Sequence, residues 1–181
     1  MLRITVPDVE LYDSVNNKFY NIKGQTLQLE HSLVSLSKWE SKWHKPFLSK
    51  KDMTYEETLD YIKCMTITQN VNPMIYNAIT DEHIRQINEY IEDPMTATCF
   101  YQETKKGSLN GEIVTSELIY YWMTALNIPS EYQKWHLNRL ITLIRVCNIK
   151  NQPAKKRNPM DIMRNYAAMN EARKKKFNSK G

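Results

Sequence analysis

The first thirty residues alternate apolar and polar positions, a pattern that predicts short β-strands. Leu2–Val6 alternates, and Lys18–Ile22 follows a polar turn at residues 16–17. Gly24 then precedes a further strand over residues 26–30. We expect three or four strands in a small antiparallel sheet, with one face left for helices to cover.

From residue 32 onward, the apolar residues recur every three or four positions, as they do on one face of a helix. Thr54 and Glu57 form a capping box, which places the start of one helix at residue 55. Prolines 46, 94 and 129 interrupt the pattern. We therefore predict helices over residues 32–45, 55–65, 80–92, 116–127, 130–149 and from 159 onward, with 116–127 and 130–149 paired as a helical hairpin.

Residues 96–114 predict a β-hairpin between two of these helices, with a strand over 96–101 paired with 112–114. The predicted fold class is thus α+β and mostly α-helical. It has a small N-terminal antiparallel β sheet, a helical bundle with the inserted hairpin, and a basic C-terminal helical tail. The expected globular domain spans residues 1–150, with 1–30 β and 31–150 mainly helical, and residues 151–181 form a basic linker and tail helix.

The formal net charge of +5 is unevenly distributed. Residues 1–149 carry 15 Lys and Arg against 18 Asp and Glu, whereas residues 150–181 carry 10 against 2. A basic tail on a mildly acidic body can contact nucleic acid, dock on an acidic partner, or keep a terminus solvated. Its clustered basic residues are Lys155, Lys156, Arg157, Arg173, Lys174, Lys175 and Lys176.

Composition argues against several classes of function. Charged residues make up 25% of the chain and no long apolar run occurs, so we expect no membrane span. The N-terminus lacks the features of a secretory signal peptide, which makes the cytoplasm the expected location. Only four glycines and three isolated cysteines are present, which disfavours a phosphate-binding loop, a disulfide framework and a zinc knuckle.

Residues able to support catalysis are few. None of the four histidines has a ligand-like spacing to another His or Cys, and His136 on a largely apolar segment is best interpreted as a packing residue. The carboxylates Glu56, Glu57 and Asp60 could form a metal site or an acid–base pair, but a solvated helix face is the favoured interpretation. We therefore expect no enzymatic activity and no cofactor.

Aromatic residues are the more informative set. Trp39 and Trp43 belong either to the core or to the floor of a groove for an apolar segment. Residues 120–122 are consecutive aromatics that project across roughly 200° of a helix, so at least one ring must lie near the surface. An exposed Tyr or Trp is a common interface anchor. The candidate partner-binding residues are Trp39, Trp43, Tyr120, Tyr121, Trp122 and Trp135.

Several strings resemble a known group of proteins. They are SLSKWESKWHKPFL at 35–48, TLDYIKCMT at 58–66, IYYWM at 119–123, WHLNRL at 135–140 and the basic ending at 170–181. Together they resemble the tail assembly chaperone group of long-tailed, siphovirus-type bacteriophages.

This resemblance implies a non-enzymatic protein, absent from the finished virion, that binds the helical tape measure protein during tail assembly in the host cytoplasm. Its implied partners are the tape measure protein and other tail assembly proteins, with a homo-oligomer as a further option. Two alternatives stay open: a virion structural protein, such as a tail completion or connector component, and a nucleic-acid-binding protein acting through its basic tail.

Overall fold

The computed structural model describes residues 1–13, 16–50, 52–100, 113–151 and 159–177. It confirms an α+β, mostly helical fold. The strands are β1 Leu2–Val6, β2 Val9–Asp13, β3 Lys18–Ile22 and β4 Gln25–Leu29; the α-helices are α1 Leu33–Trp43, α2 Tyr55–Met65, α3 Asp81–Glu92, α4 Ser116–Ala125, α5 Leu137–Asn151 and α6 Pro159–Phe177. Short 3₁₀ segments lie at Phe47–Ser49, Pro73–Ala78 and Ser130–Lys134.

The strands form two antiparallel pairs rather than the single sheet we expected. β1 pairs with β4, from Leu2 opposite Leu29 to Val6 opposite Gln25. β2 and β3 form a separate hairpin between them in the chain. Gly24 lies where the hairpin returns to β4, and an added Cβ there would come within 2.7 Å of the Val6 carbonyl oxygen. Only glycine allows the backbones to approach so closely.

The helix starts follow the local signals. Thr54 and Glu57 complete the predicted capping box at α2, and Ser32 with Ser35 makes another at α1. α1 ends at Trp43 and is capped by His44, whose φ of 53° is left-handed, just before Pro46. These caps satisfy backbone groups that a helix end otherwise leaves without partners.

The apolar residues form two core clusters, and α1 contributes to both. Trp39 belongs to a first cluster with the β1–β4 pair, α2, α3 and the 3₁₀ segment Pro73–Ala78. Leu33 and Leu36 belong to a second cluster with buried residues of α4 and α5. α4 and α5 therefore share this cluster with α1 rather than packing extensively on each other as the predicted helical hairpin.

Two predicted elements differ from the structure. Residues 96–100 and 113–114 form no strand, and residues 101–112 lie outside the described residues, so the hairpin prediction is wrong where it can be compared. The single helix predicted over 130–149 is interrupted. Ser130–Lys134 is a 3₁₀ segment, Trp135 is extended, and α5 begins at Leu137, whose N–H donates to the His31 carbonyl oxygen at 2.7 Å.

The chain divides into two compact units, Met1–Asn148 and Ile149–Gly181. The expected boundary was residue 150. Unit one contains the strands, both core clusters and most of α5. Unit two contains α6, whose described large apolar side chains are exposed.

Candidate functional site

Helix α4 is held firmly on its inner face. Ile119 and Met123 are buried in the second cluster. At the helix start, the Ser116 N–H donates to Glu40 Oε2 of α1 at 2.7 Å, and the Thr115 side chain accepts from the Leu118 N–H. α4 is therefore a fixed platform for the side chains on its other face.

The outer face of α4 is apolar and accessible. Leu118, Tyr121, Trp122 and Ala125 follow the spacing i, i+3, i+4, i+7 and so lie on one side of the helix. Tyr121 is 65% exposed, Ala125 is exposed, and Leu118 and Trp122 are half-buried, with Trp122 also packed against the edge of the second cluster. We call these four residues the α4 face. An accessible apolar row of this kind is typical of a contact surface for another helix.

Two of the other predicted interface residues have partners within the chain. Tyr120 is half-buried and donates its hydroxyl to Gln133 Oε1 at 3.0 Å. Trp135 is half-buried and stacks on Tyr132 with a centroid distance of 4.0 Å. The Arg139 guanidinium lies 4.2 Å from the Trp135 ring centroid, an arrangement that favours cation–π attraction. Both aromatic side chains thus brace the chain around α4 and α5.

Trp39 and Trp43 do not form the floor of an open groove. Trp39 has no exposed surface, and its indole N–H donates to the Glu57 carbonyl oxygen at 3.0 Å. Trp43 is half-buried, stacks on Trp39 and donates to Asp60 Oδ2 at 2.9 Å. Of the two interpretations open for Trp39, the structure supports the core and not an interface anchor, because a fully enclosed ring cannot reach a partner without unfolding.

The α2 carboxylates also depart from expectation. Glu57 and Asp60 are buried rather than solvated, and only Glu56 is exposed. Hydrogen bonds from Lys45 and Lys50 lower the pKa of Glu57 to about 2, and Asp60 pairs with Lys42. Ion pairs with flanking lysines hold α1, the following turn and α2 together. The capping box was the sequence signal that Glu57 points back toward the helix start.

Four buried ring side chains contact one another in sequence within unit one: Tyr61, His31, His136 and Tyr90. His31 Nδ1 lies 2.5 Å from the Tyr61 hydroxyl, and the His31 and His136 rings meet edge to face at 5.1 Å. His136 Nε2 donates to the Tyr90 carbonyl oxygen at 3.0 Å. Burial and the neighbouring His136 lower the pKa of His31 from 6.5 to about 3. His136 is thus a packing residue, as predicted.

The basic tail is only partly described. Arg173 and Lys174 are exposed on α6, and the backbone of Lys175 and Lys176 continues that helix. Lys155, Lys156 and Arg157 lie outside the described residues.

Known proteins add no further assignment. Family models, curated proteins and solved structures yielded no match to this chain. Among the described side chains, no group of three or more His, Cys, Asp or Glu could hold a metal ion. No helix within the described ranges is both long enough and apolar enough to cross a membrane.

Proposed function

We propose that this protein is a tail assembly chaperone of a long-tailed bacteriophage, which binds apolar helical segments of the tape measure protein in the host cytoplasm. The observation that supports this function is the α4 face, an accessible apolar row on a helix anchored at both its core side and its N-terminus. The resemblance of the strings around Trp39, Trp122 and Trp135 to that group supports the same function.

The chemistry of the α4 face suits such a client. A long helical chain with apolar stretches is prone to aggregate before its assembly partners enclose it. A chaperone must cover those stretches reversibly, which favours a shallow surface over a deep specific pocket. Tyr121 and Trp122 provide large apolar area with few rotatable bonds, so that binding sacrifices little side-chain entropy. Other tail assembly proteins would then displace the chaperone as the tail forms.

Co-expression with the tape measure protein encoded nearby tests this function. We expect the full chain to keep that protein soluble and to co-purify with it. Tyr121→Ala and Trp122→Ala should each weaken capture, since truncating an interface anchor costs on the order of 2 kcal/mol. Tyr55→Ala is the matched control, because Tyr55 is 58% exposed but lies on α2. Thermal melts verify that each variant stays folded.

Mass spectrometry of purified virions completes the test. We expect the protein to be missing from the mature particle, whereas abundant copies there would favour a tail completion or connector component. A purified chain that does not bind the tape measure protein but binds duplex DNA would favour the nucleic-acid alternative. In that case affinity should fall by roughly 0.9 log units per log of salt for each phosphate contact.

A further inference from the structure

An apolar groove lies in unit one between α2, the Phe47–Ser49 turn and α3. Its volume is about 440 Å³, within the range of roughly 300–1,000 Å³ typical of ligand pockets. Tyr61, Ile62 and Ile87 are buried along it. Partly exposed apolar side chains form its walls: Phe47, Met53, Ile84 and Ile91. We call this the α2–α3 groove.

An exposed carboxylate, that of Glu92, lies in the groove lining. Lys50 lines the groove, but its ammonium group is committed to Glu57. Glu92 is exposed at the mouth and has no ion-pair partner among the described residues, and Asn88 beside it is also exposed. An occupant of this groove should therefore be apolar and should carry positive charge at one end.

Helix α6 has both properties. Met163, Tyr166 and Met169 lie along one side of it and are 72%, 64% and 54% exposed. Arg173, four residues beyond Met169, continues the same side, and Lys174 is exposed next to it. We call Met163, Tyr166 and Met169 the α6 stripe. A helix whose apolar side is open to water gains little from packing, so burial of the stripe would stabilise it.

We propose that the α2–α3 groove of one copy binds the α6 stripe of a second copy of this chain. Each copy carries one groove and one stripe, and the three side chains of the stripe are exposed. Pairing between copies would bury the stripe and bring its basic end to Glu92. The surface is separate from the α4 face, so self-association and tape measure binding are independent properties.

Sedimentation velocity of the full chain over a concentration series tests the stripe. We expect reversible self-association that weakens with added salt, because charge pairing at the groove mouth is screened. Met163→Glu combined with Tyr166→Glu should weaken it at least tenfold. Ala168→Glu is the control, since Ala168 is exposed on the opposite side of α6 and leaves the stripe intact.

Asn88→Lys combined with Glu92→Lys tests the groove without touching its buried residues. This variant should also lose self-association at least tenfold. Glu10→Lys combined with Asn77→Lys makes the same change of charge at exposed positions outside the groove, and should behave as the parent chain. Circular dichroism melts confirm that all variants remain folded.

Mixing the two defective variants gives the decisive result. The stripe variant keeps its groove and the groove variant keeps its stripe, so together they should form a one-to-one pair although neither associates alone. A parent chain that stays monomeric throughout, variants that associate like the parent chain, or a mixture that does not pair would each overturn the proposal. None of these measurements involves the tape measure protein.

Discussion

At the residue scale, the buried His31, which lies against His136, makes folding sensitive to acid. Tyr61 and Tyr90 lie against the two rings. The Tyr90 hydroxyl donates to Glu30 Oε1 at 2.6 Å, so Tyr90 lies between this carboxylate and the His136 ring. No carboxylate among the described residues contacts either ring directly. A proton on His31 would therefore be poorly solvated and would face a second imidazole.

The folded pKa of His31 is about 3, below its ordinary value of 6.5. Between those values the unfolded chain binds the extra proton, so stability rises with pH and is lost as pH falls below about 6.5. We expect the free energy of unfolding to fall by up to about 1.4 kcal/mol per pH unit in this range.

Urea titrations at pH values from about 7.5 to about 4.5 measure this dependence, because that range spans the ordinary pKa of histidine. His31→Gln should flatten it while lowering stability at neutral pH. His44→Asn removes an exposed histidine at a left-handed position that Asn tolerates, and should leave the slope unchanged. A parent slope that survives His31→Gln would assign the acid sensitivity to other groups.

At the element scale, one buried carboxylate joins three segments. Glu40 of α1 accepts from the Phe47 N–H at 2.9 Å and from the Ser116 N–H at 2.7 Å. It therefore links α1 to the following turn and caps the start of α4. The position of the α4 face depends on this link.

Glu40→Gln should destabilise the fold by about 1–3 kcal/mol, because one backbone N–H would face an amide donor instead of an oxygen. A chemical denaturation series measures the loss. Glu56→Gln is the control, since Glu56 is exposed on α2 and should change stability by less than about 0.5 kcal/mol. Equal stability of the two variants would show that the α4 start does not rely on Glu40.

Local signals predicted most helix boundaries correctly, because a capping box or a proline acts on residues within one helical turn of it. Thr54 with Glu57 and Thr80 before α3 are examples. The break before α5 could not be found this way. Residues 130–136 contain no proline or glycine that would mark a break. The break arises because His136 pairs with Ser32 across the fold and the Leu137 N–H donates to the His31 carbonyl oxygen.

At the scale of the whole molecule, the two units differ in how much apolar surface they bury. Unit one has two core clusters, whereas the described large apolar side chains of α6 are exposed. In dilute solution, where the chain is monomeric, limited trypsin digestion should therefore cut first at the basic positions of residues 155–176 and leave unit one intact. Unit one should keep the same thermal unfolding transition after the tail is removed. First cuts within α1 to α3 would contradict this expectation.

The sequence by itself determined the fold class, most helix positions, the acidic body with its basic tail, and the presence of a surface aromatic among residues 120–122. These properties depend on composition, periodicity and neighbours in the chain. Only the tertiary structure decided that Trp39 is enclosed and Tyr121 exposed, that Glu57 and Asp60 are buried with lysines, and that His31 meets His136. Burial depends on which segments pack together, and residues far apart in the chain make those contacts.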